Sequence, residues 1–477
     1  MSTTTPRARV LGSACAPAPL QHSPQRAPRR LLQRVLRVPL PPTLVALAVL
    51  LTACVAWLHG QSCAGPLAAR PEGGMLGALP PHERRPAAPA APGAPQVDIV
   101  YVSAFPQHLR SSLRSLCHFL RPAGVGSVHL VVPDRMVAFF ETSLPTLQCP
   151  AAPVLAFRVW AESALVPAFT QSAPHKGTVR QMALKLAAAS IVAAPFYLVM
   201  DSDVYARRPF GVEDLLLGAG AAAPLRARTG LDQLDFAQPE SWFRDAAALL
   251  RTPLVADTGA FCAARAGEAV WFAGTGNATP PLDGAFPLLP NGAYGACRHG
   301  RGHATHVTPM LLSRELVLEV LQPRLAAAAA AAGGPRAPWY AALLDYQALR
   351  EAQCWQGLAA LWSGLRFYTW TEYSLYFVAG VASGALDQYH VFPARGGITS
   401  YRHSIMLPSA YDAADWDAIF TDAQDDAPFF IVHSWFNKPL EVTNAHLARH
   451  IPSLRLGAAE GSGGEGVPQP SALPLYA

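Results

Sequence analysis

A chain of 477 residues, 51% hydrophobic and with a formal charge of +5, is too apolar for a disordered protein and long enough for one large domain or two medium ones. No block of Lys and Arg is interleaved with aromatic residues, so the basic surplus does not mark a nucleic-acid binder. Only three lysines occur, Lys176, Lys185 and Lys438. A compact ammonium and a guanidinium are not equivalent against a phosphate, so these positions carry weight.

Residues 1–37 form a basic arm. No Asp or Glu precedes Glu72, while Arg7, Arg9, Arg26, Arg29, Arg30, Arg34 and Arg37 are spread through the segment. Residues 38–58, from Val38 to Leu58, carry no charge and as a helix would be roughly 30 Å long, about one bilayer core. Pro39, Pro41 and Pro42 fall in its first turns and Trp57 near its far end, where an interfacial aromatic is favoured. Arginines before the span and none close after it predict a single-pass type II anchor with the remainder in a lumen, which places the chain in the Golgi membrane or, alternatively, the endoplasmic reticulum. An acid-free, Arg-rich arm also fits a plastid or mitochondrial transit peptide, and a cleaved secretory signal is a third reading.

Residues 59–96 are rich in Pro, Ala and Gly and read as a stem that cannot bury a core. Residues 457–477 read as a flexible tail for the same reason. Between them, residues 97–456 form the folded block. The eight cysteines (Cys15, Cys54, Cys63, Cys117, Cys149, Cys262, Cys297 and Cys354) contain no CxxC pair, which argues against zinc; in a lumen the last six have the option of pairing. Asn277-Ala-Thr279 is a glycosylation sequon that a luminal location would make usable.

The block opens with an apolar run, Val97 to Ser103. Leu109, Leu113, Leu116 and Leu120 follow at helical spacing, and then comes a second run, Ser127 to Pro133. Strand, helix and strand in alternation predict an α/β fold with a largely parallel sheet flanked by helices. A helix is predicted over Thr178–Ser190, with Gln181 and Lys185 on one face and Arg180, Leu184 and Ala187 on another. Phe196–Met200 is a short apolar run of the buried parallel kind, and it ends in Asp201-Ser-Asp203.

Ligands of open α/β sheets bind beyond the carboxyl ends of the strands. Two hard oxygen donors at such an end suit Mn²⁺ or Mg²⁺ bridging a substrate's phosphates. Arg180 and Lys185, just ahead of the metal strand, are placed to neutralise a diphosphate. A helix starting near Ser313 runs into the low-complexity stretch Ala326–Ala332. Further on, Thr371 is placed to cap a helix whose first turn contains Glu372.

Taken in order, Lys176-Gly, Arg180-Gln, Lys185, Tyr-Leu-Val-Met-Asp201-Ser-Asp203-Val and Arg208-Pro resemble the GT-A nucleotide-sugar glycosyltransferases, and in particular an uncharacterised branch described as a domain of unknown function, DUF6492. The Val97–Ser103 strand, the Val131-Val-Pro-Asp134 strand end, Thr308-Pro-Met and Trp370-Thr-Glu-Tyr-Ser-Leu-Tyr376 fit the same pattern, so the resemblance covers nearly all of the block. It implies a GT-A-like, Rossmann-like mixed sheet. It also implies a metal-dependent transfer of a hexosyl or pentosyl group from a nucleotide-diphosphate sugar to a glycan or glycoprotein acceptor. Ser103 at the end of the first strand would then belong to the donor site. The strand Phe429–His433, followed by Lys438-Pro439, is similar to a segment of glycogenin-like members. There the matching histidine is the third metal ligand, implying that role for His433, and the lysine meets the diphosphate, implying that role for Lys438. In inverting members an acidic residue on a comparable helix start deprotonates the acceptor, which implies a catalytic base at Glu372.

Two other readings stand beside this one. Asp201-Ser-Asp-Val also matches the opening motif of haloacid-dehalogenase-type phosphatases, whose first Asp is a nucleophile. A second acidic pair after a later strand would be needed, and Asp425-Asp426 instead precedes its strand. The remaining reading is a non-catalytic nucleotide-sugar-binding membrane protein.

Overall fold

The computed structural model describes residues 96–147, 155–169, 177–218, 224–229, 240–251, 308–334, 336–354, 370–391, 397–400, 402–405, 408–433 and 439–454. The predicted anchor, the stem and the tail lie outside them, as do Lys438 and Asn277. Among the described residues no helix is long and apolar enough to cross a membrane.

The strand–helix–strand alternation read from the sequence is present. β1 (Val97–Val102) leads through α1 (Pro106–Phe119) to β2 (Val125–Val132), then through α2 (Val137–Leu147) to β3 (Ala156–Ala161). The chain returns through α3 (Gly177–Ala187) to β4 (Phe196–Met200) and the short β5 (Val204–Ala206). β6 (Leu216–Leu217), β7 (Arg226–Arg228) and α4 (Glu240–Leu249) precede β8 (Met310–Ser313), which is followed by a π-helical turn over Leu316–Leu321 and by α5 (Gln322–Gly333). After α6 (Trp339–Cys354) come α7 (Glu372–Ala382), β9 (His390–Val391), β10 (Phe429–Ile431) and α8 (Leu440–Leu447).

The central sheet has the order β3-β2-β1-β4-β8. The pairings β1–β2, β1–β4 and β2–β3 are parallel, and only the edge strand β8 runs antiparallel. All of β1 and β4 is buried, which is why these strands are apolar runs without alternation, broken only by Asp98 in β1. On α1, Leu109, Leu113 and Leu116 fall on one stripe and are fully buried. Its start is favoured by Pro106 at the first helical position, where no N–H is missed. Thr371 caps α7 as expected: its Oγ1 accepts from Ser374 N at 3.0 Å, and Ser374 Oγ accepts from Thr371 N at 3.0 Å.

Beneath the sheet's amino ends, the buried Asp98 carboxylate on β1 accepts from the N–H groups of Ser127 (2.7 Å), Ala193 (2.7 Å) and Ala194 (3.0 Å). His129 Nε2 lies 3.8 Å from it, and His129 Nδ1 accepts from Trp160 Nε1 at 3.1 Å, which leaves the ring proton on Nε2, facing Asp98. Burial pushes the Asp98 carboxyl up, but the facing His129 ring and the hydrogen bonds from the three backbone N–H groups outweigh it and hold the pKa at about 2. One charge thereby ties β1, β2 and the turn before β4 together.

β5 and β10 pair antiparallel as a separate ribbon. A smaller apolar cluster of Tyr205, Tyr411, Trp416, Phe430, Leu447 and Ile451 packs around it. Arg207, next after β5, is buried and ion-paired to Asp425 at 3.2 Å.

Candidate functional site

The sheet order fixes where a ligand can enter. From β1 the chain builds outward to β3 and then crosses back to place β4 on the other side of β1. The direction of winding therefore reverses between β1 and β4, and a crevice opens there beyond the carboxyl ends of the two strands. Tyr101 pairs with Met200, so Asp201 emerges level with Val102, and Ser103 follows one residue further on at this crevice.

Asp201 is the hub of a buried polar network. Its Oδ1 accepts from Gln181 Nε2 at 2.6 Å and lies 2.9 Å from Lys185 Nζ. Its Oδ2 accepts from Lys185 Nζ at 3.2 Å and from the Thr308 hydroxyl. Gln181 and Lys185 are one helical turn apart on α3, and this is the face anticipated from the sequence. Gln181 also reaches the Val102 carbonyl at 3.3 Å, linking the ends of β1 and β4.

Lys185 is 3% exposed and makes two further contacts, to Glu372 Oε1 at 2.7 Å and to Thr308 Oγ1 at 3.2 Å. An ammonium has three N–H groups, and Asp201, Glu372 and Thr308 take them. Thr308 has one hydroxyl proton; given to Asp201, it leaves the oxygen to accept from Tyr373 OH at 3.0 Å. Burial alone would lower the Lys185 pKa, but the Asp201 and Glu372 carboxylates raise it well above its ordinary value, so the side chain stays charged. Burial likewise raises the Tyr373 hydroxyl well above its ordinary value, which keeps it a neutral donor.

The other expected site residues are placed as follows. Ser103 is buried at the end of β1, and its Oγ accepts from Phe105 N at 3.1 Å, closing the turn into α1. Arg180 points away from Asp201: it pairs with Glu162, reaches the Phe169 carbonyl at 3.3 Å and lies over the Phe169 ring. Glu372, 3% exposed, meets Lys185 at the start of α7. Asp203 and His433 come to one place through the ribbon: Val432 N donates to the Asp203 carbonyl at 3.0 Å, and His433 is the next residue. Asp203 follows Asp201 by two residues, so all three expected metal ligands stand at adjoining strand ends.

Among the described residues no group of three His, Cys, Asp or Glu side chains is arranged to hold a metal ion. Asp201 has its oxygens engaged by Gln181, Lys185 and Thr308. Asp203 and His433 offer a hard oxygen and an imidazole, donor types that Mn²⁺ and Mg²⁺ accept. A Mg²⁺-type site needs only one or two carboxylates when substrate phosphates complete it.

Gln181, Thr308 and Tyr373 join the site without having been singled out as site residues. The signals were present, because Gln181 shares a helix face with Lys185, Thr308 opens Thr-Pro-Met and Tyr373 follows Glu372. Their meaning depended on partners far away in sequence.

A family model described as "Family of unknown function (DUF6492)" matches residues 108–263 and 295–455. No curated protein matches the chain. Among solved structures, mouse xyloside xylosyltransferase 1 in its apo form is similar at a TM-score of 0.30 and 12% identity, over 72% of this chain and 99% of that one. The glycosyltransferase GlyE of Streptococcus pneumoniae TIGR4 is similar at 0.18 and 14% identity, over 24% of this chain and 25% of that one. Its apo form is similar at 0.25 and 11% identity, over 71% and 55%. The chain thus spans a quarter of the first GlyE chain and little more than half of the second. Likeness of this size assigns no activity.

Proposed function

The chain belongs to the DUF6492 family of unknown function, and from that premise we propose that it is a metal-dependent glycosyltransferase. It moves a hexosyl or pentosyl group from a nucleotide-diphosphate sugar to a glycan or glycoprotein acceptor. One observation carries the reading: at the sheet's switch point, one buried ammonium, Lys185, stands against two carboxylates, Asp201 and Glu372, with Asp203 two residues further along the chain. This surplus of negative charge at a strand end favours a divalent cation, and through it a diphosphate.

In this proposal Asp203 and His433 hold Mn²⁺ or Mg²⁺, which supplies charge neutralisation for the leaving diphosphate. Asp201, fixed by Gln181, Lys185 and Thr308, sets the turn that presents Asp203. Glu372 serves as counter-charge to Lys185 rather than as acceptor base, because its carboxylate is buried against the ammonium. Lys438 keeps its proposed contact to the diphosphate.

The phosphatase reading is less favoured. Asp425, one of its required second pair, is ion-paired to Arg207 at the far end of the β5–β10 ladder from Asp203. The proposal keeps the folded block in the Golgi lumen behind a single N-terminal span; the disulfide-bonded state of Cys117 speaks only for an oxidising compartment, where such bonds persist.

A screen of nucleotide sugars for Mn²⁺-dependent thermal stabilisation tests the proposal. Stabilisation by one nucleotide class, lost with a chelator, is the expected result. No stabilisation by any nucleotide with either metal would overturn it.

A further inference from the structure

A cavity of about 440 Å³ is lined chiefly by Tyr411, Asp412, Trp416, Pro439, Val442 and His446. Its size falls within the range of small-molecule sites. Tyr411 and Trp416 belong to the apolar cluster around the β5–β10 ribbon and meet edge to face, 5.4 Å between centroids. His446, on α8, stacks flat on Trp416 at 4.6 Å. The Tyr411 hydroxyl bonds Thr443 Oγ1 at 2.8 Å, so α8 and the short helix Pro408–Asp412, the two sides of the cavity, are tied together. Val442, which is 40% exposed, and the exposed Pro439 and Asp412 stand at the mouth. Both sides leave from the ribbon end that carries His433. His433 N donates to the Ile405 carbonyl at 3.0 Å, and the short helix begins three residues after Ile405. Three residues of chain and most of a helical turn span at most about 16 Å, which bounds the distance from Ile405 to Tyr411.

The lining selects the ligand. It contains no Lys or Arg, so an anion would find no counter-charge. Tyr411 and Trp416 are only 4% and 5% exposed, and His446 covers one face of Trp416, so no aromatic cage is open to a quaternary ammonium. What remains is an apolar wall from Pro439, Val442 and the ring edges, with a carboxylate and an imidazole at its rim. Burial and then Arg449 hold the His446 pKa below its ordinary value, against the opposing Asp417, so the ring offers one N–H donor and one acceptor nitrogen. A sugar ring matches this lining, because its C–H faces are apolar and its hydroxyls both donate and accept. We infer that the cavity binds a sugar residue of the acceptor glycan, with Asp412 and His446 meeting its hydroxyls and Pro439 and Val442 its apolar face. The choice of a sugar rests on the cavity; its place on the acceptor rests on the transferase reading proposed above. Holding the acceptor here favours an oligosaccharide over a single sugar, since recognition is then spread beyond the reacting hydroxyl.

The test presents the purified full-length chain with the methyl glycosides of glucose, galactose, mannose, xylose and N-acetylglucosamine, and reads binding by saturation-transfer NMR. At least one glycoside is expected to bind. Val442→Trp, which fills the mouth from an exposed position, is expected to abolish that binding at an unchanged melting temperature. His446→Phe keeps a ring stacked on Trp416 but removes both ring nitrogens, and is expected to weaken the glycoside about fivefold, the loss of one hydrogen bond. Calorimetry with UDP and GDP, each with Mn²⁺, runs in parallel and is expected to show the same nucleotide affinity in both variants as in the unmodified chain. Nucleotide binding with no glycoside binding would overturn this inference alone, as would glycoside binding that both variants leave intact. Glycoside binding with no Mn²⁺-dependent nucleotide binding would keep the sugar cavity and overturn its acceptor role together with the transferase reading.

Discussion

Lys185 Nζ lies 2.7 Å from Glu372 Oε1, a buried contact between residues 187 positions apart in the chain. It joins α3 to the start of α7 through an ion pair of two side chains that are 4% and 3% exposed. Removing Glu372 leaves Lys185 with Asp201 alone, and removing Lys185 leaves the Glu372 carboxylate buried without its cation, so either single change is costlier than its share of the double change.

Glu372→Ala is accordingly expected to cost about 3–5 kcal/mol of folding stability. Glu372→Gln costs less, because the amide oxygen still accepts from the ammonium. Lys185→Met added to Glu372→Ala should cost less than the sum of the two single changes. Urea denaturation of the three variants measures this coupling, and strict additivity would show that the two groups act independently. If Glu372 were instead the acceptor's base, Glu372→Gln would cut transfer by roughly 100-fold or more at unchanged stability.

Asp203 separates binding from folding. Its side chain is proposed to hold the metal, whereas its carbonyl belongs to the ribbon. Asp203→Ala should abolish metal-dependent nucleotide binding in calorimetry and leave the melting temperature within about 2 °C of the wild type. Asp201→Ala should fail in both respects, since it strips Gln181, Lys185 and Thr308 of their common acceptor. A normal melt for Asp201→Ala would show that the network does not support the fold.

Acid stability reports Asp98. Its pKa falls from an ordinary 3.8 to about 2 on folding. A lowered carboxylate pKa contributes stability that is fully present above about pH 4 and is lost as pH falls toward 2. The shift corresponds to about 2 kcal/mol. In Asp98→Asn that portion of the acid-induced loss should disappear from the stability-versus-pH curve, while stability at pH 7 is lower throughout. An unchanged slope between pH 4 and 2 would assign the loss to other groups.

Topology is checked in microsomes. Protection of the folded block from added protease, with a mobility shift on deglycosylation that Asn277→Gln removes, is the outcome expected for a luminal block behind a single span. A mature chain lacking roughly its first sixty residues and recovered from plastids would replace the anchor with a transit peptide.

The sequence by itself determined what rests on neighbours within a turn or a strand. The apolar runs at Val97 and Phe196 identified buried parallel strands, because such strands face other layers on both sides. The leucine spacing from Leu109 identified α1, and the i, i+4 relation put Gln181 and Lys185 on one face. Asp201 and Asp203 stood out as charges ending an apolar run. Only the tertiary structure decided which partners those groups meet. Arg180 and Lys185 looked equivalent as basic residues of one helix, yet Arg180 turns to Glu162 and Lys185 to Asp201 and Glu372. The α/β alternation does not say on which side of β1 the fourth strand will lie, and that choice creates the crevice. Periodicity encodes which face of an element is apolar. Which elements then share a buried charge depends on sheet order and on packing between segments more than a hundred residues apart, and no local pattern carries that information.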